Sequence, residues 1–78
     1  MNIQILKEIE LDDGCMRLNI SVNNNELIYL GFILESMEGW CNYTTPDRSK
    51  PILQVDVPPD FVEDFGNLFE FLQNWKIA

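Results

Sequence analysis

An α+β fold of element order ββαββα is what this sequence predicts, and three observations carry the prediction. Alternating apolar stretches flank Asp13-Gly14, residues 26–38 form a long apolar run of helical length, and Phe61, Phe65, Leu68, Leu72 and Trp75 recur at steps of four and three. Between the two helical segments, residues 40–45 and 52–57 alternate in the manner of strands. The 78 residues make a single domain, 1–78, of a size that buries only about 60% of the surface its unfolded chain exposes.

The first hairpin spans residues 3–22. Asp13-Gly14 is the signature of a two-residue type I′ turn, because both residues tolerate positive φ. Centred there, the register pairs Glu10 with Arg17, Ile9 with Leu18 and Ile5 with Val22, with the apolar pairs on one face and the charge pair on the other. Lys7 then falls on the apolar face opposite Ile20, where an inward lysine discourages an edge strand from pairing with other chains.

Asn23, Asn24 and Asn25 suit a turn and the cap of a helix starting near Glu26. In that helix Leu27, Leu30, Gly31, Leu34 and Glu38 share one face, while Ile28, Tyr29, Phe32 and Ile33 run round the other sides. A helix apolar all round must be covered on more than one side, and so small a domain is short of material to cover it. Gly39 suits the left-handed residue beyond the last turn. A strand at 40–45, a connection rich in turn formers at 46–50 and a strand in which Leu53, Val55 and Val57 alternate with Gln54 and Asp56 come next. Pro58-Pro59-Asp60 stops that strand, and Asp60 with Glu63 has the spacing of a capping box for the last helix.

This order is that of a ferredoxin-like sandwich, circularly permuted so that its last strand comes first. The expected sheet is four-stranded, in order 1-2-4-3, with strand 2 parallel to strand 4 and both helices on one face. Cys15 and Cys41 are expected on strands 2 and 3, which are not neighbours, so a disulfide between them is excluded without distortion. The other face of the sheet is expected to carry Leu6, Glu8, Glu10, Arg17, Asn19, Trp40, Ile52 and Gln54.

Thirteen acids against five bases give a net charge of -8, which argues against nucleic acid or an anionic membrane as partner, because phosphate binding needs concentrated positive charge. Acids this dispersed serve solubility better than mimicry of nucleic-acid charge. No apolar run reaches the roughly 18 residues of a membrane span, and the first residues lack the basic start of a secretory signal, so a cytoplasmic setting is expected. With no histidine and no Cys-x-x-Cys spacing, neither a metal nor a cofactor is expected. Asp12-Asp13 is better explained as turn chemistry than as a cation site. Glu35 and Glu38, a carboxylate pair by spacing, sit beside solvent at a helix end, and Arg48-Ser49-Lys50 reads as a soluble loop with some capacity for an anion. No nucleophile and base can be paired, which ranks an enzyme below two other readings.

The first of those readings is a non-catalytic interaction module, pairing with itself or with another protein through Tyr29, Phe32, Ile33 and Trp40. The second is a small-molecule sensor with its ligand cleft at the helix-strand junction, lined by Gly39, Trp40, Tyr43, Thr45 and Asp47. Residues 30–39, then Thr45-Pro46-Asp47, then Val55-Asp56-Val57-Pro58, resemble a family of short bacterial proteins known only as a domain of unknown function. The resemblance runs over about residues 26–75. It implies the second half of the fold and a bacterial cytoplasmic setting, and it implies no activity.

Overall fold

Ile3–Glu10 (β1) and Met16–Val22 (β2) form the first hairpin of the computed structural model, which describes residues 1–37 and 39–75. Helix α1, Asn24–Ser36, leads to a short strand β3, Asn42–Thr44, and then to β4, Ile52–Val57. A 3-10 turn at Pro59–Phe61 opens α2, Val62–Asn74. The sheet order is β1-β2-β4-β3, as expected for the permuted ferredoxin-like arrangement.

Every pairing in the sheet is antiparallel, including β2 with β4, which corrects the parallel pairing expected from the sequence. The reason lies in the connections. Helix α1 carries the chain back so that β3 runs in the same direction as β2, and the following reversal makes β4 antiparallel to both as it inserts between them.

The hairpin register also differs. Leu11 N–H donates to Cys15 O at 2.8 Å and Gly14 N–H to Leu11 O at 2.9 Å, so the loop is the three residues Asp12, Asp13 and Gly14 rather than two. Only Gly14 needs positive φ, at +88°, which is the arrangement of a type I turn closed by a left-handed glycine. The longer loop shifts every partner by one: Glu10 faces Met16, Ile9 faces Arg17 and Glu8 faces Leu18. A bulge between Ile5 and Lys7 then shifts the register again, so that Ile5 faces Ile20 and Ile3 faces Val22. Lys7 therefore pairs with Asn19, not with Ile20, and the irregular backbone at Leu6 rather than an inward lysine is what marks this strand as an edge.

Leu18, Ile20 and Val22 of β2 and Leu53, Val55 and Val57 of β4 point to one side. There they meet Leu30 and Leu34 of α1 and Phe65, Phe69 and Leu72 of α2 in one core, with Met1 and Ile3 closing one end. The outward side carries two polar rows, Asn42, Asp56 and Arg17 in one and Thr44, Gln54 and Asn19 in the other. Arg17 donates to both carboxylate oxygens of Asp56, at 2.9 and 3.0 Å, in place of the expected pair with Glu10. The bulge and the register change put Lys7 and Ile9 on this outward side and turn Glu8 and Glu10 toward the helices, correcting the expected membership of that face.

The caps are plainer than the sequence implies. Asn23 has cap geometry but its side chain accepts from Asn2 Nδ2 instead of a helix amide. Asp60 lies inside the 3-10 turn and makes no side-chain cap, so the capping box does not form; Pro59 opens that turn instead. Cys15 sits in the loop before β2 and Cys41 just before β3, both outside the strands expected to hold them, and both are free thiols. No helix among the described residues is long and apolar enough to cross a membrane.

Candidate functional site

Two surfaces are the candidates for a functional site, and α1 links them. On its inner side Leu30, Gly31 and Leu34 are buried and Leu27 packs against the core, as the spacing of these residues dictates. The outer side is exposed although it is apolar: Ile28 retains 67% of its surface, Tyr29 54% and Phe32 64%. Ile28 and Phe32 stand four residues apart and Tyr29 and Phe32 three apart, so the three form one continuous patch. No charged side chain interrupts it between Glu26 and Glu35.

Of the four residues that sequence reasoning groups at an interface, Tyr29 and Phe32 lie on this patch. Ile33 is half-buried and packs against the core. Trp40 is drawn away, because its ring stacks on Phe61 with centroids 5.7 Å apart and planes inclined by 18°. Ile28 belongs to the patch and was not grouped with the other three. Its signal was present in the sequence, since it stands one turn before Phe32.

The second surface lies where α1 passes over β3. Tyr43 crosses the helix at Gly31, whose absent side chain makes room: a Cβ there would stand 3.3 Å from the Tyr43 hydroxyl. That hydroxyl donates to Glu35 Oε1 at 2.6 Å. The bond to the carboxylate, followed by partial burial, raises the Tyr43 pKa above the ordinary phenol value. Tyr43 thus occupies Glu35, while Glu38, the other member of the carboxylate pair suggested by spacing, lies outside the described residues.

Of the predicted cleft residues, Gly39 and Thr45 line two separate hollows, Tyr43 lines both, and Trp40 lines neither. On one side Gly39 joins Leu34, Glu35, Met37, Cys41 and Asn42 around a shallow depression. Gly39 has φ +84°, and the N–H of Trp40 turns back to Met37 O at 3.0 Å. On the other side Tyr43, Thr44 and Thr45 face Asn24 and Leu27 of α1 across an open cleft of about 640 Å³ whose far wall is Arg48, Ser49 and Lys50. Asp47 shapes that wall without lining the cleft: its Oδ1 accepts from Ser49 N at 2.9 Å and from Ser49 Oγ at 2.6 Å. These bonds, the hydroxyl's first, hold the Asp47 pKa below the usual carboxylate value. The cleft's lining therefore contains two of the chain's five bases and no acid.

No three carboxylates or thiols converge in a metal-binding group among the described residues. Burial raises the pKa of Cys41, the opposite of what activates a thiol as a nucleophile. In the first hairpin, Asp13 Oδ1 accepts from the N–H of Cys15 at 3.0 Å, which keeps the Asp13 carboxyl below its ordinary pKa and shows Asp13 at work within the turn.

A family model described as a domain of unknown function, DUF4911, matches residues 20–74. The match covers more than half of the chain, which therefore belongs to that family. It starts within β2 and ends at the last residue of α2, so it contains the exposed patch of α1, Tyr43 and the basic cleft. No curated protein and no solved structure matches the chain.

Proposed function

We propose that this protein is a non-catalytic interaction module that associates with a second copy of itself through the outer side of α1. The observation that carries the reading is the continuous exposure of Ile28, Tyr29 and Phe32 on a helix whose opposite side is fully engaged with the core. A two-fold pairing of helices is self-complementary, and this patch suits it because it brings no like charges to the seam. Glu35, the nearest acid at its end, is held by Tyr43. The setting proposed is the bacterial cytoplasm, following the resemblance to short bacterial proteins.

Sedimentation velocity over a wide concentration range tests the pairing. The wild-type chain is expected to pass from monomer to dimer, and an Ile28→Glu/Phe32→Glu variant to stay monomeric with unchanged circular dichroism. A wild-type chain that remains monomeric to millimolar concentration would overturn self-association and leave a different protein as the occupant of the patch.

A second reading is favoured by the basic cleft. In a chain of net charge -8, Arg48 and Lys50 beside the hydroxyls of Thr44, Thr45 and Ser49 make a concave surface suited to a small anionic metabolite. Such a sensor predicts a thermal upshift with one or more members of a panel of carboxylates and phosphates, removed by Arg48→Gln/Lys50→Gln. A panel without effect, or an upshift that survives the double substitution, would sink it.

A further inference from the structure

A groove between the edge hairpin and α2 is built differently from either surface above. Up to Ile5, β1 presents apolar side chains to the helices; beyond the bulge at Leu6 the position opposite Leu18 is filled by Glu8. The floor therefore runs from Ile5, Met16, Leu18 and Val57 to a carboxylate at its margin. Above it Val62, Phe65 and Phe69 of α2 form a wall, interrupted at Gly66, where an added Cβ would meet nothing within 4 Å. The space left is 210 Å³. An apolar cavity of about 150 Å³ admits benzene, so this one has room for a phenyl ring with a short chain.

The charge is as specific as the shape. Glu8 is the sole charged residue among those lining the groove, and among the described residues it makes no ion pair. Arg17 is committed to Asp56 on the opposite side of the sheet, and Lys7, next to Glu8, points to that side as well. A chain of net charge -8 also concentrates cations around itself.

We infer that this groove is a binding site for a small amphiphilic amine, with its aryl or branched alkyl body against Leu18, Val57 and Phe65 and its ammonium group at the Glu8 carboxylate. The bulge and Gly66 are then the two features that create the site. One places the acid at the rim and the other leaves the cavity empty of side chain.

The test is an NMR titration of the whole chain with 3-phenylpropylammonium, followed at the methyl groups of Ile5, Leu18, Val57 and Val62. The neutral 3-phenylpropanol and the anionic 3-phenylpropanoate serve as probes of matched size. The ammonium is expected to saturate these signals, the alcohol to bind three- to tenfold more weakly and the carboxylate not to bind. Glu8→Gln is expected to weaken the ammonium to the level of the alcohol and leave the alcohol unchanged. Gly66→Leu, which adds a good helix former at an open position, is expected to remove binding of both without lowering the melting temperature. Equal binding of ammonium and alcohol to the wild type, or saturation unaffected by Gly66→Leu, would overturn the assignment. So would groove methyl signals that move on dilution of the protein without any probe, because a second copy would then be the occupant.

Discussion

Among single residues, Asp56 has the most definite electrostatic role. Its carboxylate receives both bonds of the Arg17 guanidinium, and that contact lowers its pKa from the ordinary 3.8. Between the lowered value and 3.8 the folded chain binds fewer protons than the unfolded one, so stability rises with pH through that window. The contribution is complete above about pH 4 and is lost as pH falls through the lowered value. Asp56→Asn is accordingly expected to lower the urea midpoint at pH 7, by a margin that shrinks as pH falls below about 4. A deficit that stayed constant from pH 7 to pH 2 would show that packing, not charge, accounts for the loss. Both side chains remain about one-third exposed, at 37% and 29%, which keeps the effect modest.

At the scale of elements, the two helices make opposite use of glycine. Gly66 lies on an exposed side of α2 with open space around it, so Gly66→Ala is expected to raise unfolding stability by about 1 kcal/mol through helix propensity alone. Gly31 has the Tyr43 hydroxyl against it, so Gly31→Ala is expected to gain distinctly less, because the tyrosine must withdraw from Glu35. Equal gains in matched urea melts would mean that Tyr43 does not depend on the missing side chain. The same elements show what the sequence makes legible. The inner side of α1, the strand alternation of β4 and the middle of the α2 stripe from Phe65 to Leu72 follow from apolar spacing, but Trp75, expected to end that stripe, stays 44% exposed while Phe69 is buried. The hairpin register does not follow from spacing, because Asp-Gly fits a two-residue loop with two positive φ values as well as a three-residue loop with one. Lys7 and Glu8 move with that loop, and the bulge at Leu6, which returns Ile5 and Ile3 to the inner side, leaves no trace in the residues around it. Tyr29 and Phe32 were legible because too many apolar residues encircle one short helix. The stacking of Trp40 was not, because its partner Phe61 lies on another element.

For the whole molecule, charge and the apolar patch oppose each other. Two copies of a chain carrying -8 repel, and the repulsion is screened by salt while apolar contact is not. Self-association through α1 is therefore expected to tighten on going from about 0.05 M to about 0.5 M sodium chloride, where the screening length falls from above 10 Å to below 8 Å. Weakening over that range in sedimentation runs would point to an interface held by ion pairs instead. The stack of Trp40 on Phe61 has its own bearing on how the molecule opens. Trp40 precedes β3 and Phe61 follows β4, so the rings fasten together the two strands of chain that lead into and out of that half of the sheet. A breathing motion that frees one must unlatch the other, and hydrogen exchange at the Trp40 and Phe61 amides, bonded to Met37 and Pro58 carbonyls, should quicken in concert when Phe61 is replaced by alanine. The edge strand β3 would then loosen together with the Tyr43 latch, while β4 stays paired with β2 over the core.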